Sequence, residues 1–444
     1  GYPLQISYSQ LLMEAERLCD TALVVRLLQG LASEVRSSCA RACFLNCAVF
    51  MLWQAGERME AKALLEEMAV ARLTNRVSRR LAEKLGVQEG YLASAAASAK
   101  KSSGLKWMER REKTSSIERS HSKELSLLQS ILALPSIEPE CVLAEIEDFG
   151  LKRQWIKVAG GEKAAVVETV VMASKPRSVL EYGVYVGYTA IRIALYVRPW
   201  GGKVTSLEMD PVHACITRNI ALLLGLENHM VVQVGHSDDA VPILHEKGCR
   251  FDMVFMDQRS TRFHTDLATL ERLQMLLPHS VVVADNVLKP GAPRWLWHIT
   301  KAPRYCTDII SVREFGSAET EDWMTVTFVP GGSHISAPLV EPRGLLALTA
   351  RCDRMRFRTV TRSFGDTKRE LEDVNRELTH ALAALGIRKT QIVVTKYEGQ
   401  AALSRVVPVM DEVIWTEWVG VDPRLEMRGG RWRTDVSDCD NLFP

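Results

Sequence analysis

The chain has 444 residues, 47% of them hydrophobic, and a formal net charge of +2. That length exceeds one ordinary domain and suggests about three, while the near-neutral charge argues against broad nonspecific attraction to nucleic acid. No apolar run reaches a membrane span, since Ala42 to Trp53 is short and carries Asn46; no leader peptide is visible, although a first residue Gly1 leaves room for sequence upstream.

Residues 1–92 read as helices. Ile6 to Leu12 followed by Ala22 to Leu28 is echoed by Phe44 to Phe50 followed by Ala61 to Met68, a period of about 37 residues in the helical-repeat range. The second unit resembles a pentatricopeptide repeat, the helical hairpin of organelle RNA-binding proteins. Ser9 and Asn46 would then stand at base-reading positions, making RNA or a protein a candidate partner. The alternative is an ordinary helical cap, or the end of a longer array. Cys39, Cys43 and Cys47 share one helical stripe, at a spacing better suited to close packing than to a metal. Ten cysteines with no C-x-x-C pair suggest reduced thiols in an intracellular compartment, cytoplasmic or organellar. Residues 93–122, rich in Ala, Ser, Lys and Glu, read as a linker or frayed helix. The cluster Lys106 to Lys113 reads as a solvated face.

Residues 123–331 alternate strands with helices. A short strand, Ser178 to Glu181, enters a turn holding Gly183 and Gly187, and a helix follows. Glycines there let the backbone approach a ligand, and the helix start offers unpaired N–H groups. The turn lacks the Gly-Lys-Ser/Thr of a P-loop, and its glycines are four apart, unlike G-x-G-x-x-G. The next strand, Lys203 to Leu207, ends on Glu208, which can accept hydrogen bonds from the ribose hydroxyls of a nucleoside cofactor. Two further apolar runs, Asp252 to Met256 and Ser280 to Ala284, have the uninterrupted character of buried parallel strands. They stop on Asp257 and on Asp285 with Asn286. Three oxygen ligands at the carboxyl ends of strands could hold Mg²⁺; alternatively, the aspartates cap the following helices. The predicted class is α/β: a doubly wound Rossmann-like sheet with helices on both faces, an N-terminal all-helical segment and a small C-terminal α+β segment.

From about Leu127 to Pro330 the chain resembles the catechol O-methyltransferase family of class I S-adenosylmethionine-dependent enzymes. The match runs through Val142 to Ile146, Gly161 to Lys163, Leu180 to Tyr188, Leu207 to Pro211, Asp252 to Asp257 and Ala284 to Pro293. The resemblance implies a seven-stranded sheet whose last strands are antiparallel. It implies that Glu181, Tyr185 and the Val158 backbone line the methionine part of the cofactor, with Gly183 and Gly187 forming the turn. Glu208 would take the ribose, with Met209, Ser237 and Gln258 on the adenosine side. Asp257, Asp285 and Asn286 would be the Mg²⁺ ligands, Trp155 and Pro290 walls of the aromatic slot, and Glu314 the carboxylate holding the second substrate hydroxyl. The implied chemistry is attack of a catecholate oxygen on the sulfonium methyl, with the metal assisting deprotonation.

The sequence departs from that pattern after Asp257. The family's general-base lysine is replaced by Ser260, and a serine accepts no proton usefully at neutral pH. Arg259 is a fixed cation. Lys157, which stands where the family has an apolar wall, and Lys289 are candidate substitute bases, and Lys157 could also recruit an acidic acceptor. The expectation is methyl transfer to a dihydroxyaromatic small molecule. The alternative is a noncatalytic cofactor-binding scaffold in an RNA- or protein-binding protein.

Residues 332–444 form a separate segment of unassigned role. It opens on a linker, Gly331 to Pro338, and two strands, Met355 to Thr361 and Gln391 to Lys396, are predicted to flank a helix over Thr367 to Leu385. Trp415, Trp418 and Trp432 would fill a small core or anchor a partner.

Overall fold

A computed structural model describes residues 2–98, 116–329, 340–361, 364–390, 392–397, 400–409 and 412–417. The chain begins with α1 (Tyr2–Arg17), α2 (Thr21–Glu34), α3 (Ser38–Gln54), α4 (Arg58–Val70), α5 (Arg76–Lys84), α6 (Glu89–Ser98), α7 (Ser116–Ser120), α8 (Ser122–Ala133) and α9 (Pro139–Lys152). Alternation follows: α10 (Glu162–Ser174), β1 (Ser178–Tyr182), α11 (Tyr188–Val197), β2 (Lys203–Glu208), α12 (Pro211–Leu224), β3 (Met230–Val234) and α13 (Ser237–Glu246). It continues through β4 (Phe251–Met256), α14 (Phe263–Arg272), β5 (Leu276–Ala284), α15 (Pro293–Lys301), β6 (Cys306–Glu314) and β7 (Ser317–Val329).

The sheet order is β3-β2-β1-β4-β5-β7-β6. Strands β1, β4 and β5 run parallel, and β7 is antiparallel to both β5 and β6. The reversal expected of the last strands is present. Met253 to Met256 and Val281 to Ala284 are buried without interruption, as strands covered on both faces should be.

Two compact units divide the chain. The first takes in the described residues up to Val158 together with Val184–Ile191 and Ser206–Ile243; the second holds Ala159–Gly183, Arg192–Thr205 and the described residues from Leu244 on. Within the first unit, α3 is buried on nearly every side, Ala42 to Phe50 without a break, which marks a central helix rather than a surface one. It packs on α2, α4 and α12. Asn46 is fully buried: its Nδ2 donates to Asn219 Oδ1 at 2.9 Å and its Oδ1 accepts from Ser78 Oγ at 2.7 Å. Ser9 is 6% exposed. Neither side chain can read a base, which corrects the RNA-facing expectation: these residues face the protein's interior. Cys43 and Cys47 pack beside the Asn219 amide, as expected of small packing residues. The nine described cysteines are all free.

Met355 to Thr361 is not a strand but the end of α16 (Arg343–Thr361), followed by α17 (Phe364–Ala384). Leu345, Leu348, Cys352 and Met355 are buried at intervals of three and four, a helical stripe that outweighs the local strand propensity. The strands β8 (Ile392–Tyr397), β9 (Gln400–Val409) and β10 (Glu412–Glu417) form a small antiparallel sheet. Of the stretch read as a linker or frayed helix, Ala93 to Ser98 is helical and continues α6. The Lys106 to Lys113 cluster, the Gly331 to Pro338 linker, Trp418 and Trp432 lie outside the described residues.

Candidate active site

Asp257 and Asp285 stand one step past the ends of β4 and β5. The preceding residues, Met256 and Ala284, are register partners. The Asp257 N–H donates to Tyr182 O at 3.0 Å and the Asp285 N–H to Met256 O at 2.9 Å, so adjacent parallel strands bring the two carboxylates side by side. Burial, and then the neighbouring Asp285 charge, hold Asp257 well above the ordinary carboxylate range. Burial also raises Asp285, to about 7, although Lys163 pulls the other way.

A lysine lies at the heart of this cluster. Lys163 of α10 is 1% exposed. Its Nζ is 3.0 Å from Asp285 Oδ1, 3.0 Å from Glu314 Oε2 and 2.9 Å from Asp322 Oδ2. Burial alone would discharge it, but the charges of Asp285, Asp322 and Glu314 outweigh burial and hold the ammonium well above its usual range. Asp322, fully buried on β7, also accepts from Asn286 Nδ2 at 3.0 Å, Lys289 N at 2.9 Å and Trp323 N at 2.8 Å. Asp285 Oδ1 takes both Lys163 and the Asn286 N–H at 2.7 Å. These bonds leave Asp285 Oδ2 and Asn286 Oδ1 as the atoms able to ligate, beside the Asp257 carboxylate. Two neighbouring carboxylates and an amide oxygen form a hard-oxygen set that suits Mg²⁺, and a cation would offset the burial that raises both acids. Neither Lys163 nor Asp322 carries an assigned role in the sequence reading. Lys163 falls in the quoted Gly161 to Lys163 motif, whereas Asp322 follows Glu319 and Glu321 in β7 and nothing in the local sequence sets it apart from them.

The other predicted residues divide between the two units. Gly183 (φ +86°) lies so close to Asp257 that a Cβ would fall 2.9 Å from its carbonyl oxygen. Glu181 is buried on β1, and Pro290 is half-buried. Gln258 Nε2 donates to Asp266 at 2.8 Å, while its Oε1 is buried without a partner, an acceptor that a nucleoside amine could meet. Ser260 is 2% exposed, and its hydroxyl donates to Gly291 O at 2.9 Å. It is a packing residue rather than an acid–base group. Burial lowers the Lys289 ammonium below the usual lysine range, the direction a general base needs.

In the first unit Tyr185 adopts φ +49°. Its N–H donates to Glu208 Oε2 at 2.8 Å, its carbonyl accepts from Thr217 Oγ1 at 2.8 Å and its hydroxyl donates to Glu124 at 2.6 Å. Gly187 (φ +87°) has no room for a Cβ, which would meet Thr217 Cγ2 at 2.6 Å. Glu208 is thereby fixed at the end of β2, and Met209 beside it is 62% exposed, an apolar platform on the surface. Val158 is buried, and Ser237 opens α13. Trp155 and Lys157 are exposed, with the Lys123 ammonium 5.8 Å from a Trp155 ring centre.

The O-methyltransferase family profile matches residues 135–294. Catechol O-methyltransferase of Bos taurus is 33% identical over 198 residues, 44% of this chain and 72% of the relative. That of Sus scrofa is 36% identical over 159 residues, 35% of this chain and 85% of the relative. The transmembrane O-methyltransferase of Homo sapiens is 33% identical over 176 residues, 39% of this chain and 60% of the relative. No described helix is long and apolar enough to cross a membrane. Sequence match, sheet order and the buried acids at the strand tips lead to one assignment: the chain belongs to the catechol O-methyltransferase family and is an S-adenosylmethionine-dependent O-methyltransferase.

Proposed function

We propose that the protein transfers a methyl group to one hydroxyl of a dihydroxyaromatic small molecule with the help of Mg²⁺. One observation carries this reading: Asp257 and Asp285 are pressed together at neighbouring strand tips, with the Asn286 amide fixed beside them. Asp257, Asp285 and Asn286 would hold the Mg²⁺, whose positive charge would ease ionisation of a substrate hydroxyl. S-adenosylmethionine supplies the methyl group. Glu208, fixed by the Tyr185 and Asp210 N–H groups, offers its remaining lone pairs to the ribose; Met209 packs on the adenine, and the Gly183 to Gly187 turn admits the methionine part. Glu314 would hold the second hydroxyl, and Pro290 would form one wall of the ring slot. Proton removal falls to Lys289 or Lys157, because Ser260 is bonded to a backbone carbonyl. The exposed Lys157 would also favour an acceptor bearing an acidic group.

The fixed hydroxyl of Ser260 favours a second reading, a scaffold that binds the cofactor without turnover. Labelled S-adenosylmethionine, Mg²⁺ and a panel of dihydroxyaromatics separate the two. Transfer that requires the ion and disappears in Asp257→Ala supports the transferase. Stoichiometric cofactor binding with no transfer to any acceptor selects the scaffold.

A further inference from the structure

His121, Asp210 and His213 converge in the first unit. One ligand atom from each lies within 4.8 Å of the other two. Asp210 and His213, three apart at the start of α12, share one face of its first turn. His121, just before α8, is 3% exposed. Its Nδ1 is 2.8 Å from Ile117 O, an atom that can only accept, so Nδ1 carries a hydrogen. Its Nε2 meets Asp210 Oδ2 at 2.9 Å, and a carboxylate also only accepts. A positive species must therefore lie between them, either a second proton or a metal ion.

The surroundings have the form of a metal site. A ligating histidine normally donates its other ring N–H to a carbonyl or carboxylate. His121 donates to Ile117 O, and the two nitrogens of His213 lie 3.8 Å from Glu208 Oε1 and 4.0 Å from Glu124 Oε1. Asp210 Oδ1 is occupied by the Val212 N–H at 2.8 Å, which leaves Oδ2 directed at His121. Three carboxylates, Glu124, Glu208 and Asp210, thus surround two imidazoles.

We propose that His121, Asp210 and His213 bind a Zn²⁺-class transition-metal ion, distinct in chemistry from the all-oxygen set. Two imidazoles and one carboxylate suit Zn²⁺ or Co²⁺ and discriminate against Mg²⁺. Tetrahedral ligand atoms stand roughly 3.3 Å apart at the usual bond lengths, so His213 needs to close in by about 1–1.5 Å. The ion ties the segment before α8 to the start of α12. It thereby steadies Glu208, whose Oε1 accepts the Asp210 N–H at 2.8 Å.

The test uses the untagged full chain, stripped of transition metals and held in excess Mg²⁺, titrated with Co²⁺ and followed by ligand-field absorption. One equivalent should bind with the strong band of a four-coordinate site and be displaced by one equivalent of Zn²⁺. His121→Ala and His213→Ala should each weaken binding at least tenfold, whereas Asp257→Asn should leave it unchanged. Circular dichroism checks that the variants fold; if His121→Ala does not, the wild-type titration and His213→Gln decide. Absence of a Co²⁺ band in the wild type, or equal binding in folded histidine variants, overturns the proposal and leaves a His121–Asp210 ion pair only.

Discussion

Asp322 illustrates how single residues set this site. It touches no proposed substrate, yet it directs the Asn286 amide and anchors both Lys163 and the Lys289 backbone. Outer partners of this kind typically contribute 10- to 100-fold to metal affinity. Asp322→Asn should therefore weaken Mn²⁺ binding, measured by electron paramagnetic resonance, by about tenfold or more, with Asp322→Glu recovering part of the loss. Restoring a lysine at position 260 follows different logic. Sequence alone suggests that Ser260→Lys would supply the missing base and raise the rate. The buried Ser260 leaves an ammonium no room, so we expect a loss of about 2 kcal/mol or more in urea unfolding instead. An increased rate without loss of stability would show that this segment can rearrange.

Among the elements, α14 and α15 carry a pH dependence of their own. Burial, followed by the Arg294 charge, lowers His264 to about 4, and both its ring nitrogens are buried without partners. Burial also lowers His298 on α15. The unfolded chain takes up a proton at His264 near its ordinary value of about 6.5, and the folded chain does so only near 4. Stability is thus fully present above about 6.5 and is lost as pH falls toward about 4. The loss should be on the order of 1–2 kcal/mol, below the full linkage value because the ring is part-exposed. His264→Leu should flatten that limb in urea titrations across this range. A second element-level device is α16, where Asp353 binds Arg259 Nε at 2.8 Å and accepts from Thr261 at 2.7 Å. Asp353→Ala should cost about 1 kcal/mol, given the partial exposure of the pair, and release the segment that follows Asp257. Hydrogen exchange at residues 259–262 reads that release.

At the scale of the molecule, the N-terminal helices are part of the folded body of the first unit rather than an appended reader. Between α3 and α12, Asn46 Nδ2 donates to Asn219 Oδ1, and Asn219 Nδ2 donates in turn to the Cys43 carbonyl, across an interface closed to water. Asn46→Leu takes the donor away from the buried Asn219 Oδ1 and should cost about 2–3 kcal/mol in chemical unfolding. Removing residues 1–92 would uncover the apolar face of α12 around Cys215 and Asn219, so the remaining chain should aggregate on expression. The strands and the oxygen-bearing residues at their ends were legible in the amino-acid order, because buried parallel strands are short β-branched runs and Asp257, Asp285 and Asn286 end them. The glycine turn was legible too, since Gly183 and Gly187 occupy positive-φ positions where a Cβ would clash. Tertiary structure alone decided the rest. Lys163 and Asp322 are 159 residues apart and become partners only when α10 meets β7. Asn46 changes from candidate base reader to core residue because α12 covers it. Local sequence encodes periodicity and strand ends, whereas the environment of a polar side chain depends on which distant segment is folded against it.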